Sequence, residues 1–376
     1  MNLQEKLSQS FKDLGSRLNG SESKSLRELR SRSFDYFKGQ GFPTNQDEEW
    51  KYTSLNKIVK RDFDFSSQVS SEILAKDIEP FLCERLDSYK LIFINGVFNK
   101  SLSTLDSNEK FFVGSLKQGM KEMPEIIKAY YGKLADTKQS LVALNTAMAD
   151  EGAFVYVKKG VKLDKLVQIL FVNTNHEESR MMQTRNLFVL EDLAEAQIFE
   201  RHQAFNQGHV FSNSVTESFV GNEAHFKHFK LQNDLDSSSM VDSTFVKQGA
   251  NSSALVDTFA FSGELVRNNL HFEFTGMYAE AHMDAITLLK GKSLVDHHTF
   301  VDHAVPNCQS NQLYKGIYDE KSKGVFNGKV MVRKDAQKTN AFQQNNNLLL
   351  SDFSSIDTKP QLEIFADDVA CSHGCT

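Results

Sequence analysis

Two cysteines and a histidine occupy alternate positions near the end of the sequence, Cys371, His373 and Cys375, within the run KPQLEIFADDVACSHGCT (359–376). In an extended strand successive side chains point to opposite faces, so this spacing puts two thiols and an imidazole on one side of the backbone. Sulfur and imidazole nitrogen together suit iron or another transition metal. A second group of ligand-type residues lies at Asp296, His297, His298, Asp302 and His303. His297 and His298 are neighbours, so a strand sends them to opposite faces, and one shared site would need a bend. A structural ladder at the surface outweighs ligation for this group, with His297 and His303 kept as secondary metal candidates. Cys308 and Cys83 read as core thiols.

The elements that must position these residues follow from periodicity. Leu3, Leu7, Phe11, Leu14 and Leu18 recur at three- and four-residue steps, and Leu26, Leu29 and Tyr36 continue the pattern until Gly39, Gly41 and Pro43. The first forty residues are therefore predicted to form a helical hairpin. EEWKYTSLNKIVK opens a mixed region, LIFINGVF (91–98) reads as a buried strand and turn, and Pro124 to Leu134 as a short helix. From about Ala153 short β-rich runs alternate with Gly, Asn, Asp and Ser.

Those runs repeat. Starts at Val210, Met240, Arg267, Leu294 and Val325 are separated by 30, 27, 27 and 31 residues. Fourteen residues after each start stands a small residue: Ala224, Ala254, Ala281, Cys308 and Thr339. A mostly apolar column, Val215, Phe245, Phe272, Thr299 and Val330, keeps step with it. A period near 28 with no long helix inside it predicts a β-solenoid, whose stacked coils bury a continuous core. The expected division is a helical and mixed domain over 1–139 and a solenoid over 140–376 of about eight coils, roughly 40 Å long. Asn345 to Asn347 are expected to form stacked turn amides between coils.

Composition narrows the function. With 43 basic and 49 acidic residues the net charge is -6, and no basic block offers a footprint for nucleic acid or an anionic membrane. No stretch approaches the 18 apolar residues of a membrane helix, and MNLQEKLSQSFKDLG has no secretory apolar segment, so a cytoplasmic protein is expected. Four cysteines among 376 residues are too few for a disulfide scaffold and fit a reducing compartment. GVFNGKV (324–330) lacks the spacing and the hydroxyl of a phosphate loop, so no ATP site is expected. Without G-x-G-x-x-G, G-x-S-x-G, H-E-x-x-H or C-x-x-C, self-contained catalysis is not expected, and the chain is not read as an enzyme.

Several segments carry a family resemblance. KPQLEIFADDV followed by CSHG, together with HHTFVDHAVPNCQSNQLYKG (297–316), GVFNGKVMVRKDAQKTNAFQQNNNLLL (324–350) and EEWKYTSL (48–55), resembles SufD proteins of the SUF iron-sulfur cluster assembly machinery. The resemblance implies a helical N-terminal domain followed by a right-handed parallel β-helix. It also implies partners: a SufB-like paralogue forming a heterodimer, and a SufC-like ATPase whose motion exposes the cluster-building site. Cys371 and His373 match the family's C-x-H-G pattern, which implies that they contact transient iron or a nascent cluster shared with the partner. Cys375 departs from the family, which usually has alanine there. It is read as a small residue in a tolerant slot sooner than as a third ligand.

The family continues into a C-terminal helical domain that docks SufC, and that domain is absent from this sequence. Either the chain is a fragment or its open end pairs with a partner. A bound flavin and a homodimer of the isolated chain stay open. Two further readings are a SufB-like scaffold and, from another class, a β-helix enzyme acting on polysaccharides. A non-catalytic solenoid that polymerises end to end is a third.

Overall fold

The computed structural model describes residues 3–18, 22–65, 73–174, 179–205 and 208–376. The predicted hairpin is present as α1 (Leu3–Arg17) and α2 (Lys24–Gln40). Four shorter helices follow: α3 (Ala75–Ile78), α4 (Leu116–Glu122), α5 (Pro124–Tyr130) and α6 (Ser140–Met148). α6 was not foreseen, because SLVALNTAM is apolar nearly all round and lacks the stripe that marks a surface helix. Seven of its nine residues are buried against the solenoid.

Among the described residues, twenty strands make most of the rest. β1 (Phe63–Asp64), β2 (Ser88–Ile94), β3 (Val97–Phe98) and β4 (Phe111–Ser115) precede the repeat. β5 (Ala153–Val157), β6 (Leu166–Asn173), β7 (Ser179–Leu190), β8 (Glu195–Ala204), β9 (Val210–Val220) and β10 (His225–Asn233) begin it. β11 (Ser238–Gln248), β12 (Ser253–Ser262), β13 (Leu265–Phe274), β14 (Glu280–Leu289) and β15 (Leu294–His303) continue it. β16 (Gln309–Tyr318), β17 (Lys323–Val332), β18 (Thr339–Leu349), β19 (Ser355–Ile364) and β20 (Val369–Cys375) complete it.

From β5 onward odd strands join one sheet, in the order β19-β17-β15-β13-β11-β9-β7-β5-β4, and even strands the other, β20-β18-β16-β14-β12-β10-β8-β6-β2-β3. All pairings from β5 to β20 are parallel, which is a β-solenoid of about seven turns. At ~4.8 Å per step that is roughly 34 Å, close to the expected length. No break divides the sheets at residue 140, since β1, β2 and β4 pair directly with β7, β6 and β5.

The predicted period is present, but the predicted register is not. Arg267 stands beside Asp296, not Leu294, and Val210 beside Ser238, not Met240. Ala254 and Ala281 do stack, yet Ser310, not Cys308, comes next. Loops that differ by one or two residues move the true register, and a slip of one residue exchanges inner and outer faces. Asn345 to Asn347 lie on strand β18 and not in a turn, although the Asn345 amide does donate to the Tyr314 carbonyl of the preceding coil (3.4 Å).

The corners explain why the coils stack so regularly. Leu193, Glu223, Asn251, Tyr278, Asn307 and Lys338 all have φ between 54° and 62°, an unfavourable region for residues with a Cβ. The backbone N–H of Leu193, Glu223 and Asn251 each donates to the corner of the next coil, to Asn222, Ala250 and Met277 respectively, which offsets the strain. At the same corner a Cβ on Gly276 would lie 2.0 Å from the Ala250 nitrogen, so only glycine allows the close approach.

The helical region covers the outer face of the odd-strand sheet. Leu7, Phe34 and Phe37 pack with Leu141 and Leu144 on Phe211, Val241 and Leu265. The EEWKYTSL segment crosses that face as a strap. Trp50 lies 3.9 Å over the Arg267 guanidinium, which is ion-paired to Asp296 (2.8 Å), and the Thr53 hydroxyl donates to the same carboxylate. Glu49 meets His298 (3.3 Å) and Glu48 meets Lys359, so four residues of the strap touch strands β13, β15 and β19.

A second tie is fully buried. Glu217 on β9 accepts hydrogen bonds from Arg185 of β7 (2.6 Å) and from the backbone N–H groups of Gly132, Leu134 and Ala135 (2.7, 2.7 and 3.0 Å). Burial pushes this carboxyl up, but Arg185 and the backbone donors overrule it and hold it below its ordinary 4.5. A carboxyl depressed in the folded state contributes stability above its ordinary pKa and loses it as pH falls. Glu217→Ala, which strands the Arg185 charge, is expected to cost about 3–5 kcal/mol in denaturant titrations at pH 7. The wild-type advantage over this variant should shrink below pH 4.5.

Candidate metal-binding rim of the solenoid

β20 lies in register on β18, pairing Cys371 with Ala341, His373 with Gln343 and Cys375 with Asn345. Ala341, Gln343 and Asn345 are buried inside the solenoid, and the residues between them, Phe342 and Gln344, are exposed. The three ligand-type residues therefore continue columns that line the interior. Below Cys371 run Ala341, Ser310, Ala281, Ala254 and Phe226. Below His373 run Gln343, Gln312, Met283, Val256 and His228, and below Cys375 run Asn345, Tyr314, Ala285, Thr258 and Lys230. The alternation read from the sequence is borne out. Cys371 is half-buried, and His373 and Cys375 are exposed because no described residue stacks over them.

The surroundings of the two thiols differ. Cys371 borders an apolar cluster of Val330, Val332, Ala336, Ala341 and Ala366, with Leu362 and Val369 beside it. Burial pushes its thiol up from the ordinary 9.0, against the opposing effect of the Ala341 backbone N–H. A neutral thiol is a poor ligand and a poor nucleophile until a nearby cation draws off its proton. His373 stands over a polar column. Gln343 donates to Gln312 Oε1 (3.2 Å), which also accepts from Thr299 (2.6 Å), while Gln343 Oε1 is buried with no hydrogen-bond donor. Among the described residues no three His, Cys, Asp or Glu side chains converge closely enough to hold a metal ion. The rim thus presents two thiols and an imidazole on one face of β20, with no complete ligand set around them among the described residues.

His297 and His303 do not belong to this rim, and their candidacy as ligands is corrected. Both face inward, covered by two further rungs each: Phe326 and Thr358 over His297, Val332 and Ile364 over His303. His297 shares hydrogen bonds with Thr287 (3.0 Å) and Asn268 (3.4 Å), and His303 with Ser310 (2.9 Å). Burial lowers both imidazoles to about 4, so they stay neutral inside the core. Only His298 is the outward residue of a surface ladder, between Glu49 and Asp296 (3.3 and 3.0 Å). Asp302 is taken by Arg333 at 2.8 Å. Cys308 is fully buried as expected, whereas Cys83 is only half-buried.

Sequence reading missed a charged group deep in the interior. Glu200 is bracketed by His202 and His228, each 3.0 Å away, and Lys230 is held by both oxygens of Asp242 at 2.8 Å. Burial opposes ionisation of Glu200, yet the two imidazole hydrogen bonds hold it well below the ordinary carboxylate range. The signal available was the i, i+2 spacing of Glu200 with His202 and of His228 with Lys230, polar pairs on what periodicity marks as an inner face.

The exposures order the thiols by reactivity. Brief alkylation of the native chain with iodoacetamide, followed by peptide mass spectrometry, is expected to label Cys375 first, Cys371 more slowly and Cys308 only after unfolding. Labelling of Cys371 should accelerate as pH rises toward and beyond 9.0.

Comparison with known proteins agrees with this architecture. The family model for the SUF system FeS cluster assembly SufBD core domain matches residues 171–376, and that for the SufBD protein N-terminal region matches residues 1–169. An iron-sulfur cluster assembly SufBD family protein of Synechocystis is 32% identical over 368 residues, 96% of this chain and 81% of the relative. The iron-sulfur cluster assembly protein SufD of Escherichia coli is 28% identical over 340 residues, 89% of this chain and 77% of the relative. Protein ABCI7, chloroplastic, of Arabidopsis thaliana is 28% identical over 365 residues, 94% of this chain and 75% of the relative. With both family models matched end to end over a two-sheet parallel solenoid, the chain belongs to the SufB/SufD family and is SufD-like.

Proposed function

We propose that this protein works as the SufD-type subunit of a SUF assembly complex in the cytoplasm, as a scaffold and not as a self-contained enzyme. A SufB-like paralogue meets the rim at β20 and supplies the missing ligands. A SufC-like ATPase drives the movement that opens and closes that contact. Iron or a nascent cluster is the cargo, held briefly between the subunits. The observation that carries this reading is the delivery of Cys371 and His373 to the last described rung of the interior, two residues apart on one face of β20. Apolar walls around Cys371 and a polar column under His373 give the cargo one greasy and one hydrogen-bonding side.

In this arrangement the chain contributes three things. The imidazole of His373 binds iron or accepts a proton as a thiol is deprotonated. Cys371 supplies a thiolate when the cargo's charge lowers its pKa. The stacked coils hold both side chains in place, because their backbone is hydrogen-bonded to β18 along the whole strand.

Co-expression with SufB-like and SufC-like partners, pull-down, and iron and sulfide analysis of the purified complex test the proposal. Changing an outer-shell partner alone typically costs a metal site about 10–100-fold in affinity, so loss of a direct ligand costs at least as much. The His373→Ala complex is expected to assemble in normal yield while retaining only a small fraction of the iron. Unchanged iron loading would remove His373 from the mechanism.

A further inference from the structure

The outer face of the even-strand sheet changes character along the solenoid. Over its first rungs it is covered by the chain itself: Ile73, Ile78, Phe81 and Leu82 lie on Ile92, Ile94, Leu170 and Val172, and the Arg201 guanidinium sits 4.8 Å over the Phe81 ring. Beyond β8 that cover ends among the described residues, but the apolar columns beneath it continue. Leu231, Phe259 and Ile286 follow Arg201 in register, and Leu288, Ile317 and Leu348 form a second ladder beside them. Ile286, Leu288, Ile317 and Leu348 are 44, 43, 39 and 53% exposed, a contiguous apolar surface unlike the scattered exposed residues of an ordinary surface.

One column of this face breaks the pattern in its middle. Phe199 and Phe229 are followed by Asp257 and Asp284, and then by Leu313. The two aspartates are directly paired across adjacent parallel strands, about 4.8 Å apart, with Leu255, Phe259 and Ile286 around them. Like charges stacked in this way oppose each other, and neither carboxylate has an ion-pair partner among the described residues. His282 and Lys227 both favour the charged form of Asp257, but neither is ion-paired to it, and His282 is turned to Glu280 at 2.8 Å. Asp257 Oδ1 is buried without any hydrogen bond, and burial together with Asp284 pushes the Asp257 carboxyl up to about 6. A largely apolar face, flanked by Lys227 beside Leu255 and Lys315 beside Ile286 and bearing at its centre a carboxylate pair with no ion-pair partner, is complementary to an apolar surface with one central cation.

We propose that the outer face of β12, β14 and β16 is a docking surface for a protein segment that places a lysine or arginine on Asp257 and Asp284 and apolar side chains on Phe259, Ile286, Leu288 and Ile317. The chain's own cover shows the mode, a short helical segment laid across the strands with apolar side chains down. This surface lies on the flank of the solenoid and is separate from the rim, so it recruits a partner without occluding Cys371 and His373.

Site-specific photocrosslinking tests it. A benzophenone side chain replaces Leu288 or Ile317 in the full-length protein, cells expressing it are irradiated, and crosslinked peptides are mapped by mass spectrometry. The expected result is a crosslink to a different protein, in a segment with a lysine or arginine flanked by apolar residues. Its yield should fall about tenfold or more with Asp257→Lys and Asp284→Lys together. Should that double variant fail to melt like the parent, Asp257→Asn and Asp284→Asn keep the shape and are expected to lower the yield several-fold. Crosslinks no stronger than from a probe at Lys290, crosslinks only within this chain or to a second copy of it, a mapped segment lacking a cation, or a yield indifferent to the aspartates would overturn the proposal.

Discussion

Parallel pairing in register is the constraint on which everything else in this molecule rests. Each strand of a coil bonds to the strand one coil below, and the backbone spacing of about 4.8 Å leaves no freedom to shift a side chain sideways. Every inward residue therefore stands over the inward residue before it, and a column that includes Ala196 and Phe226 runs to Cys371. At the last described rung the same stacking fixes the direction of Cys371, His373 and Cys375 without any dedicated loop or clamp. Rigid backbone support of this kind holds each inward side chain in a fixed direction before any ligand arrives.

Much of this was legible in the sequence, and the parts that were not share one cause. Alternation at Cys371, His373 and Cys375 needs only the local geometry of one strand, and it holds. The period near 28 needs only counting, and it too holds. Register depends on corner lengths, which vary between coils, so the proposed columns mixed inner and outer residues: Phe245 pairs with His271, while Phe272 pairs with Val246. The same effect hid the destination of His297 and His303, because a strand pattern tells which residues share a face but not which face is the interior. α6 was missed because a helix buried on all sides has no polar stripe to reveal it. The partners of buried charges such as Glu217 and Arg267 were out of reach because stacking brings together Arg185 and Glu217, 32 positions apart, and Arg267 and Asp296, 29 apart.

The electrostatics divide along the same lines as the fold. Inside, titratable groups are either neutralised by burial, as His297 and His303 are, or paired in compact sets such as Glu200 with its two histidines. On the helix-covered face, ion pairs fasten the N-terminal region, and the strap of Glu48 to Thr53 reaches as far as Lys359 on β19. Among the described residues, no helix is long and apolar enough to cross a membrane. At the rim, a thiol whose pKa is raised by its apolar surroundings sits two residues from an exposed imidazole.

The register of the last rung can be read directly by disulfide trapping. In a chain with Cys83 and Cys375 replaced by serine, Ala341→Cys places a thiol under Cys371 on the inner face, with Cα atoms about 4.8 Å apart and inside the range a disulfide spans. Phe342→Cys places it one position on, facing outward. Mild oxidation of the folded protein should join Cys371 to the residue at 341 and leave the thiol at 342 free. Efficient bonding at 342 with none at 341 would mean that β20 presents its other face to the interior, and the rim as described would not exist.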